Sequence, residues 1–424
     1  MLIYDNIHGY IEISDLAKSI IDTSEFQRMR RINQTGGLKY VYPTASHTRF
    51  EHSVGTYFLS KELINNIKNN QPELKISERL VELTAIAGLC HDLGHVCFSH
   101  LFDDVFLEKG KHDYLGELMI HEKRSIFIFN YIVKTYDIPI NESELKIIND
   151  MIYPINNSYD DWPNEYRIGK FILTIVSNEE NSLDVDKFDY LKRDSNKTGL
   201  SLSIDYSRLL LQARVIDGKI CYPTQILKEI YNLFFVRYQL YKQLYTHKAV
   251  KAVDLLIRDC LVELESEYNI SGWILDPTKY KYLTDDIIYQ FHINESNDKL
   301  QNLIIKLDSR QFYKLVYETN INVNNKNNYN IKFDNCELLD IKIGFVSGNK
   351  PNPLLNIWTF DSKNKNKCFK ADFNKVMHLK PDNYQERFLR IYSKNANFNL
   401  DDEINVSKII DEINGEKIST TVSL

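Results

Sequence analysis

The stretch Ser77–His100, SERLVELTAIAGLCHDLGHVCFSH, decides how this chain is read. Its first half repeats apolar residues three and four apart, which predicts a helix capped by Ser77. Its second half sets His91, Asp92, His95 and His100 among apolar or small residues. On a helix His91 and His95 share a face, while Asp92 lies about 100° round the axis. An ion reached by both His91 and Asp92 therefore sits beside the helix, and distant parts of the chain must complete its shell.

Two distant candidates stand out, His52 in HTRFEHS and Asp186 in SLDVDKFDYLKRD. A neutral imidazole offers a nitrogen lone pair and a carboxylate offers oxygen. His52, His91, Asp92 and Asp186 would thus form a mixed set suited to a divalent transition metal (iron, manganese or zinc) and less well to magnesium. Four protein ligands on an ion that prefers six leave room for water and phosphate oxygen. A single His-Asp dipeptide is common by chance, so the weight rests on the combination. Seven of the eleven histidines (His47, His52, His91, His95, His100, His112 and His121) fall within that one region.

With 424 residues, the chain predicts one large domain and a smaller appended lobe. Hydrophobic residues make up 43% and charged residues 26%, and no apolar run approaches the roughly 20 residues of a membrane span, so no membrane partner is expected. The N-terminus, MLIYDNIHGYIEI, does not read as a secretory signal. Six cysteines without a C-x-x-C pair speak against a zinc ribbon or disulfide framework and for a reducing compartment. An intracellular protein, cytoplasmic or nuclear and not secreted, is expected. A net charge of −6 gives no global pull towards nucleic acid, which leaves only a local basic groove for such a partner.

From Ser14 to about Leu264 the pattern is mainly helical, and ILKEIYNLFFVRYQLYKQLYTHKAVKAVDLLI reads as one helix of about nine turns. INVNNKNNYN (Ile321–Asn330) and DSKNKNK (Asp361–Lys367) read as solvated loops. ELLDIKIGFV and ERFLRIYSK alternate as short strands do.

At the histidine-rich stretch the sequence resembles the HD-domain phosphohydrolases, and more closely the SAM-and-HD-domain deoxynucleoside triphosphate triphosphohydrolases. DNIHGYIEI, IIDTSEFQRMRRINQTGG, YVYPTASHTRFEHSVG, ISERLVELTAIAGLCHDLGHVCFSHLFD, IVSN, LDVDKFDYLKRD and YTHK look like that family's blocks in the same order. The likeness is dense to about residue 250 and patchy to 394, and a SAM domain is absent. It implies a mainly α fold, with a helical HD-domain core over 1–320 and a smaller α+β C-terminal lobe over 321–424.

By the same resemblance His52, His91, Asp92 and Asp186 hold the metal. His100 donates a proton to the leaving 5′ oxygen, and His95 and His121 stabilise charge. Metal-activated water attacks the α-phosphate of a deoxynucleoside triphosphate (dNTP), giving deoxynucleoside and inorganic triphosphate. Arg49, Lys187 and Arg237 fall at phosphate-contact positions, with Mg²⁺ accompanying the nucleotide phosphates. Tyr190 and Asp194 follow Asp186 on one helical side. Gln34 matches the residue that holds the 3′-hydroxyl, and Tyr245 the aromatic packed on the 2′ carbon. Thr35 stands where the animal enzymes carry leucine beside sugar and base, and Tyr241 where they carry histidine.

The animal members are assembled into tetramers by a guanine nucleotide and a deoxynucleotide at two allosteric pockets. Asp22, Gln27 and Arg30 look like the guanine-recognising residues. Of the second pocket Arg208, His247 and Lys248 are present, but Pro223 and Gln225 replace two cations. GTP and dNTP effectors with partial or altered control, and a homo-oligomer (dimer or tetramer), are the expectation. Two further readings stay open here: the same site acting on another nucleotide or phosphoester, and a nucleotide- or nucleic-acid-binding sensor with a vestigial site.

Overall fold

The Ser77 hydroxyl accepts a hydrogen bond from the Leu80 N–H at 3.2 Å, and the expected helix runs on from it as Glu78–Cys90. The fold is that of a computed structural model describing residues 1–107, 112–154, 158–290, 297–323, 335–375, 377 and 383–394. Its core is built from α1 (Asp15–Ile21), α2 (Ser24–Gln27), α3 (Arg49–Asn70), α4 (Glu78–Cys90) and α5 (His121–Thr135). These are joined by α6 (Glu142–Ile152), α7 (Val185–Thr198), α8 (Ser207–Gln212), α9 (Leu227–Leu240) and α10 (Lys248–Tyr268).

The last two turns of α4 are buried on every side, from Leu83 to Cys90, which makes it the axis of the core. Fully burying Leu83, Ile86 and Leu89 contributes roughly 2 kcal/mol each. α3 passes close beside it because Gly88 has no side chain: a Cβ there would come 2.2 Å from Ser60 Oγ and 2.9 Å from the Thr56 carbonyl. That approach brings His52 on α3 beside His91 at the end of α4.

Among the described residues three sheets surround this core. Strands β1 (Leu2–Asp5) and β2 (Gly9–Glu12) form an antiparallel hairpin, Leu2 opposite Glu12. Strands β3 (Arg214–Ile216), β4 (Lys219–Pro223), β7 (Trp358–Asp361) and β8 (Asn364–Lys370) form the second, in that order, with β4 and β7 parallel and Tyr222 opposite Thr359. Strands β5 (Lys314–Ile321), β9 (Gln385–Ser393) and β6 (Cys336–Gly344) form the third, antiparallel with β9 in the middle. A helical core with a smaller α+β lobe is therefore present. Among the described residues no helix is long and apolar enough to cross a membrane.

Three local expectations need correction. The single nine-turn helix is two: α9 ends at Leu240, Tyr241–Tyr245 forms a wider turn, and α10 starts afresh with His247 Nδ1 accepting from the Ala249 N–H at 3.3 Å. Periodicity could not show this break, because apolar spacing continues across it while Thr246 turns back on the Tyr241 carbonyl. The stretch before α9, read as helical, contains the β3–β4 hairpin, whose turn residues Asp217 and Gly218 both have positive φ, 50° and 72°. An Asp-Gly pair is a strong hairpin signal, since both positions of such a turn need left-handed backbone. DSKNKNK is a hairpin too, joining β7 to β8. Most of INVNNKNNYN lies outside the described residues.

Candidate active site

His52 lies in the first turn of α3, fully buried, His91 just beyond the last residue of α4, and Asp186 in the first turn of α7. One ligand atom from each lies within 4.8 Å of the others. The Asp186 carboxylate is 3.0 Å from His52 Nε2 and 3.5 Å from His91 Nε2. His91 Nδ1 donates to the Gly88 carbonyl at 2.8 Å, so its lone pair is on Nε2 and faces the cluster. Both Nε2 atoms are buried without a hydrogen bond of good geometry. Two convergent imidazole nitrogens and a carboxylate oxygen fit a divalent metal by donor type and by their want of another partner.

Asp92 sits at the edge of this group, 3.3 Å from His91 Nε2 and 3.4 Å from His52 Nε2, and Arg49 Nη1 reaches it at 2.6 Å. Burial opposes ionisation of Asp92 and Asp186, but Arg49, His91 and His52 hold Asp92 below the usual carboxylate range, and His52 and His91 do the same for Asp186. Burial likewise opposes charge on His52, yet the facing Asp186, Asp189 and Asp92 lift its pKa to about 10.

The other three histidines form a second group next door. His95 and His121 stack with ring centroids 4.1 Å apart, and His100 meets them edge-on at 4.8 and 5.6 Å. Burial, with the nearby cations of Arg49 and Arg124, pushes the pKa values of His95 and His121 well down. The chain reaches His100 through Phe98 and Ser99, both in the left-handed region at φ 59° and 56°. Such a pair is strained and persists only where its surroundings over-determine it. Here Asp285 Oδ1 accepts the Phe98 N–H at 2.6 Å, and Ser99 Oγ donates to the Asn33 carbonyl at 2.6 Å while accepting from Arg49 Nε at 2.9 Å.

Around these groups the remaining expected residues fall on two sides. Gln34 and Thr35 lie beside Arg49, whose Nη2 donates to the Gln34 carbonyl at 3.3 Å, and Gln34 Oε1 and Thr35 Oγ1 are buried without partners. Burial lowers the pKa of Lys187, against the pull of Asp184 and aided by Arg237. Arg237 donates to the Gly344 carbonyl and to Ser347 Oγ, and lies 4.2 Å over the Tyr241 ring. Burial pushes the Tyr190 phenol well up, so it stays neutral. Tyr245 donates to Asp194 Oδ2, and the other oxygen of Asp194 lies 2.6 Å from His47 Nε2.

The HD domain family matches residues 49–192, which holds all four expected ligands. The chain is 33% identical over 409 residues to the deoxynucleoside triphosphate triphosphohydrolase SAMHD1 homolog of Dictyostelium discoideum, covering 93% of this chain and 77% of that one. It is 32% identical over 443 residues to human deoxynucleoside triphosphate triphosphohydrolase SAMHD1, covering 93% and 70%. The chain belongs to the SAMHD1 family. A putative HD domain-containing protein of Acanthamoeba polyphaga mimivirus is 32% identical over 440 residues, covering 92% of both chains.

As a SAMHD1-family HD-domain phosphohydrolase, the chain also holds residues near its site that sequence reasoning did not assign. Asp103 faces His95 Nδ1 at 3.5 Å and His121 Nδ1 at 3.8 Å, while Arg124 holds its other oxygen. His47 was visible in the histidine-rich region but carried no motif of its own.

Gln27 Nε2 donates to the Ile21 carbonyl at 2.8 Å, while Gln27 Oε1 accepts from Arg30 Nε at 2.8 Å; Asp22, next to Ile21 in the chain, pairs with Lys18 at 2.6 Å. Arg208 is paired with Glu229, His247 caps α10, and Lys248 is exposed.

Proposed function

We propose that this site hydrolyses dNTPs to deoxynucleoside and inorganic triphosphate. The observation that carries the reading is the meeting of His52, His91 and Asp186 with the His95–His100–His121 group, the two being joined by Asp92, which lies 3.6 Å from His95 Nε2. When bound by His52, His91 and Asp186 with Asp92, a divalent transition metal supplies Lewis-acid polarisation and an acidified water. The chain's own residues do the rest. A P–O bond forms to the oxygen of a water that gives up a proton to solvent, the P–O5′ bond breaks, and His100, exposed at the rim, gives its proton to O5′.

His95 and His121, whose surroundings oppose charge, act as neutral N–H donors towards the phosphate. Lys187 and Arg237 counter the outer phosphates, accompanied by Mg²⁺, and Arg49 holds Asp92 in place from the phosphate side. The unpartnered Gln34 Oε1 suits a 3′-hydroxyl donor, and Tyr245, held by Asp194, lies against the sugar.

Regulation follows the same reading in weaker form. Asp22, Gln27 and Arg30 are grouped as a guanine-recognising set. Arg208 must give up Glu229 to hold a triphosphate, and Pro223 and Gln225 offer it no help. Partial GTP and dNTP control of a homo-oligomer is the outcome proposed.

Product analysis by ion-pair chromatography tests the activity, with Mn²⁺, Fe²⁺ or Mg²⁺, each dNTP and NTP, with and without GTP. Deoxynucleoside plus intact triphosphate, lost in a His91→Ala, Asp92→Ala control, is expected. Turnover of no triphosphate by metal-loaded protein would sink the proposal.

A further inference from the structure

The hairpin β1–β2 reaches the back of the metal-ligand group through its turn. Asp5 Oδ1 accepts the N–H groups of Ile7 and His8 at 2.8 and 3.0 Å, which folds the turn and sends the His8 ring inward. His8 Nε2 then lies 2.7 Å from Asp189 Oδ1, with its side chain 3% exposed. The other oxygen of Asp189 lies 2.7 Å from His52 Nδ1. Arg193 closes on both oxygens, Nε at 2.8 Å and Nη2 at 2.9 Å, and its Nη1 donates to Asp5 Oδ2 at 2.8 Å. The circuit from Asp5 through Arg193, Asp189 and His8 returns to Asp5.

Asp189 is wholly buried beneath α3, and Gly55 makes the space: a Cβ at Gly55 would lie 2.0 Å from Asp189 Oδ1. Arg193 pairs with it through both oxygens, so it stands as a carboxylate. An ionised carboxylate only accepts, so both facing imidazoles donate N–H to it. His52 therefore keeps a proton on Nδ1, and Nε2 is the nitrogen left to take a metal. Four donations use all the lone-pair directions of Asp189 and fix its plane.

We infer that His8 is a positioning residue for the metal centre, acting through Asp189 to fix the orientation and tautomer of His52. The inference rests on reading His52, His91 and Asp186 as metal ligands. Without His8, Oδ1 keeps Arg193 alone, and the carboxylate can pivot about the Arg193 pair and shift out of line with His52 Nδ1. Groups that orient a ligating imidazole in this way change metal affinity by about 10–100-fold.

The test is Mn²⁺ affinity of the full chain, measured by competition with a fluorescent chelator, for the wild type, His8→Leu, His8→Gln and His91→Ala. His8→Leu is expected to weaken Mn²⁺ by about 10–100-fold. His8→Gln, whose amide N–H stands near the place of Nε2, is expected to recover most of that loss, which general damage to the fold would not allow. A His8→Leu chain that binds Mn²⁺ as tightly as the wild type overturns the inference, as does a deficit that His8→Gln leaves unchanged. Undiminished Mn²⁺ binding by His91→Ala would instead remove the ligand reading beneath it, and the inference with it.

Discussion

Glu337 on β6 and Arg258 on α10 form an ion pair with an Nη2–Oε1 distance of 2.6 Å, and Lys394 adds a second cation at 3.2 Å. The pair ties the third sheet to the helical core. Burial opposes charge on Glu337, but these cations bring its pKa from 4.5 down to about 2. A carboxyl depressed on folding contributes stability that is fully present above its unfolded value and is lost as pH falls through the folded one. Denaturant unfolding should show the wild type roughly 1–2 kcal/mol more stable than Glu337→Gln near neutral pH, after allowing for solvent screening. That margin should narrow steadily as the pH drops from about 4.5 towards 2. A margin that stays constant on acidification would contradict this account.

Gly94 sets the distance between the Asp92–His95 turn and α5. A Cβ there would lie 1.9 Å from the His121 carbonyl and 2.4 Å from the Ser125 backbone nitrogen, neither of which can step aside without moving α5. Gly94→Ala is expected to cost about 2–4 kcal/mol in thermal or denaturant unfolding. The folded remainder should have little activity, because His121 moves off His95.

The long-range partners explain what the sequence did and did not disclose. Helix α4 and its His91-Asp92 end were legible because spacing and residue type agree within one short stretch. His52 and Asp186 were legible because their own surroundings carry carboxylates and imidazoles. Asp189 and Arg193 sit within a helix turn or two of Asp186 and read as ordinary charged helix positions. Only the folded chain shows that Asp189 is 0% exposed and meets a residue from the first turn of the protein. The break at Tyr241–Thr246 was hidden for the opposite reason, because local periodicity carries on unbroken past it.

Removal of the metal should abolish turnover without unfolding the chain. The core beneath α3 and α4 is closed by apolar packing, and the ligand group uses only their ends together with the first turn of α7. Chelation is expected to take activity to background, with circular dichroism unchanged and activity restored by Mn²⁺ or Fe²⁺. His52→Ala, His91→Ala and Asp186→Ala should each resist that restoration.

The Tyr245 phenol gives Asp194 one of its two partners, and His47 gives the other. Tyr245→Phe leaves a half-paired buried carboxylate, at a cost of about 1–3 kcal/mol. Under the proposed function the variant should also blunt the preference for dNTP over NTP, read as the ratio of their kcat/KM values. An unchanged ratio would place the sugar elsewhere.

The parallel pairing of β4 with β7 sets an order of events during synthesis. Strand β4 emerges early and waits with one edge open until residues near Thr359 have left the ribosome. Gly344 and Ser347, which clasp the guanidinium of Arg237, arrive only shortly before. A nascent or prematurely ended chain is thus expected to close its histidine groups long before it can steady Arg237, which the proposed function sets against the outer phosphates. Such a fragment is expected to take up metal and yet grip no triphosphate.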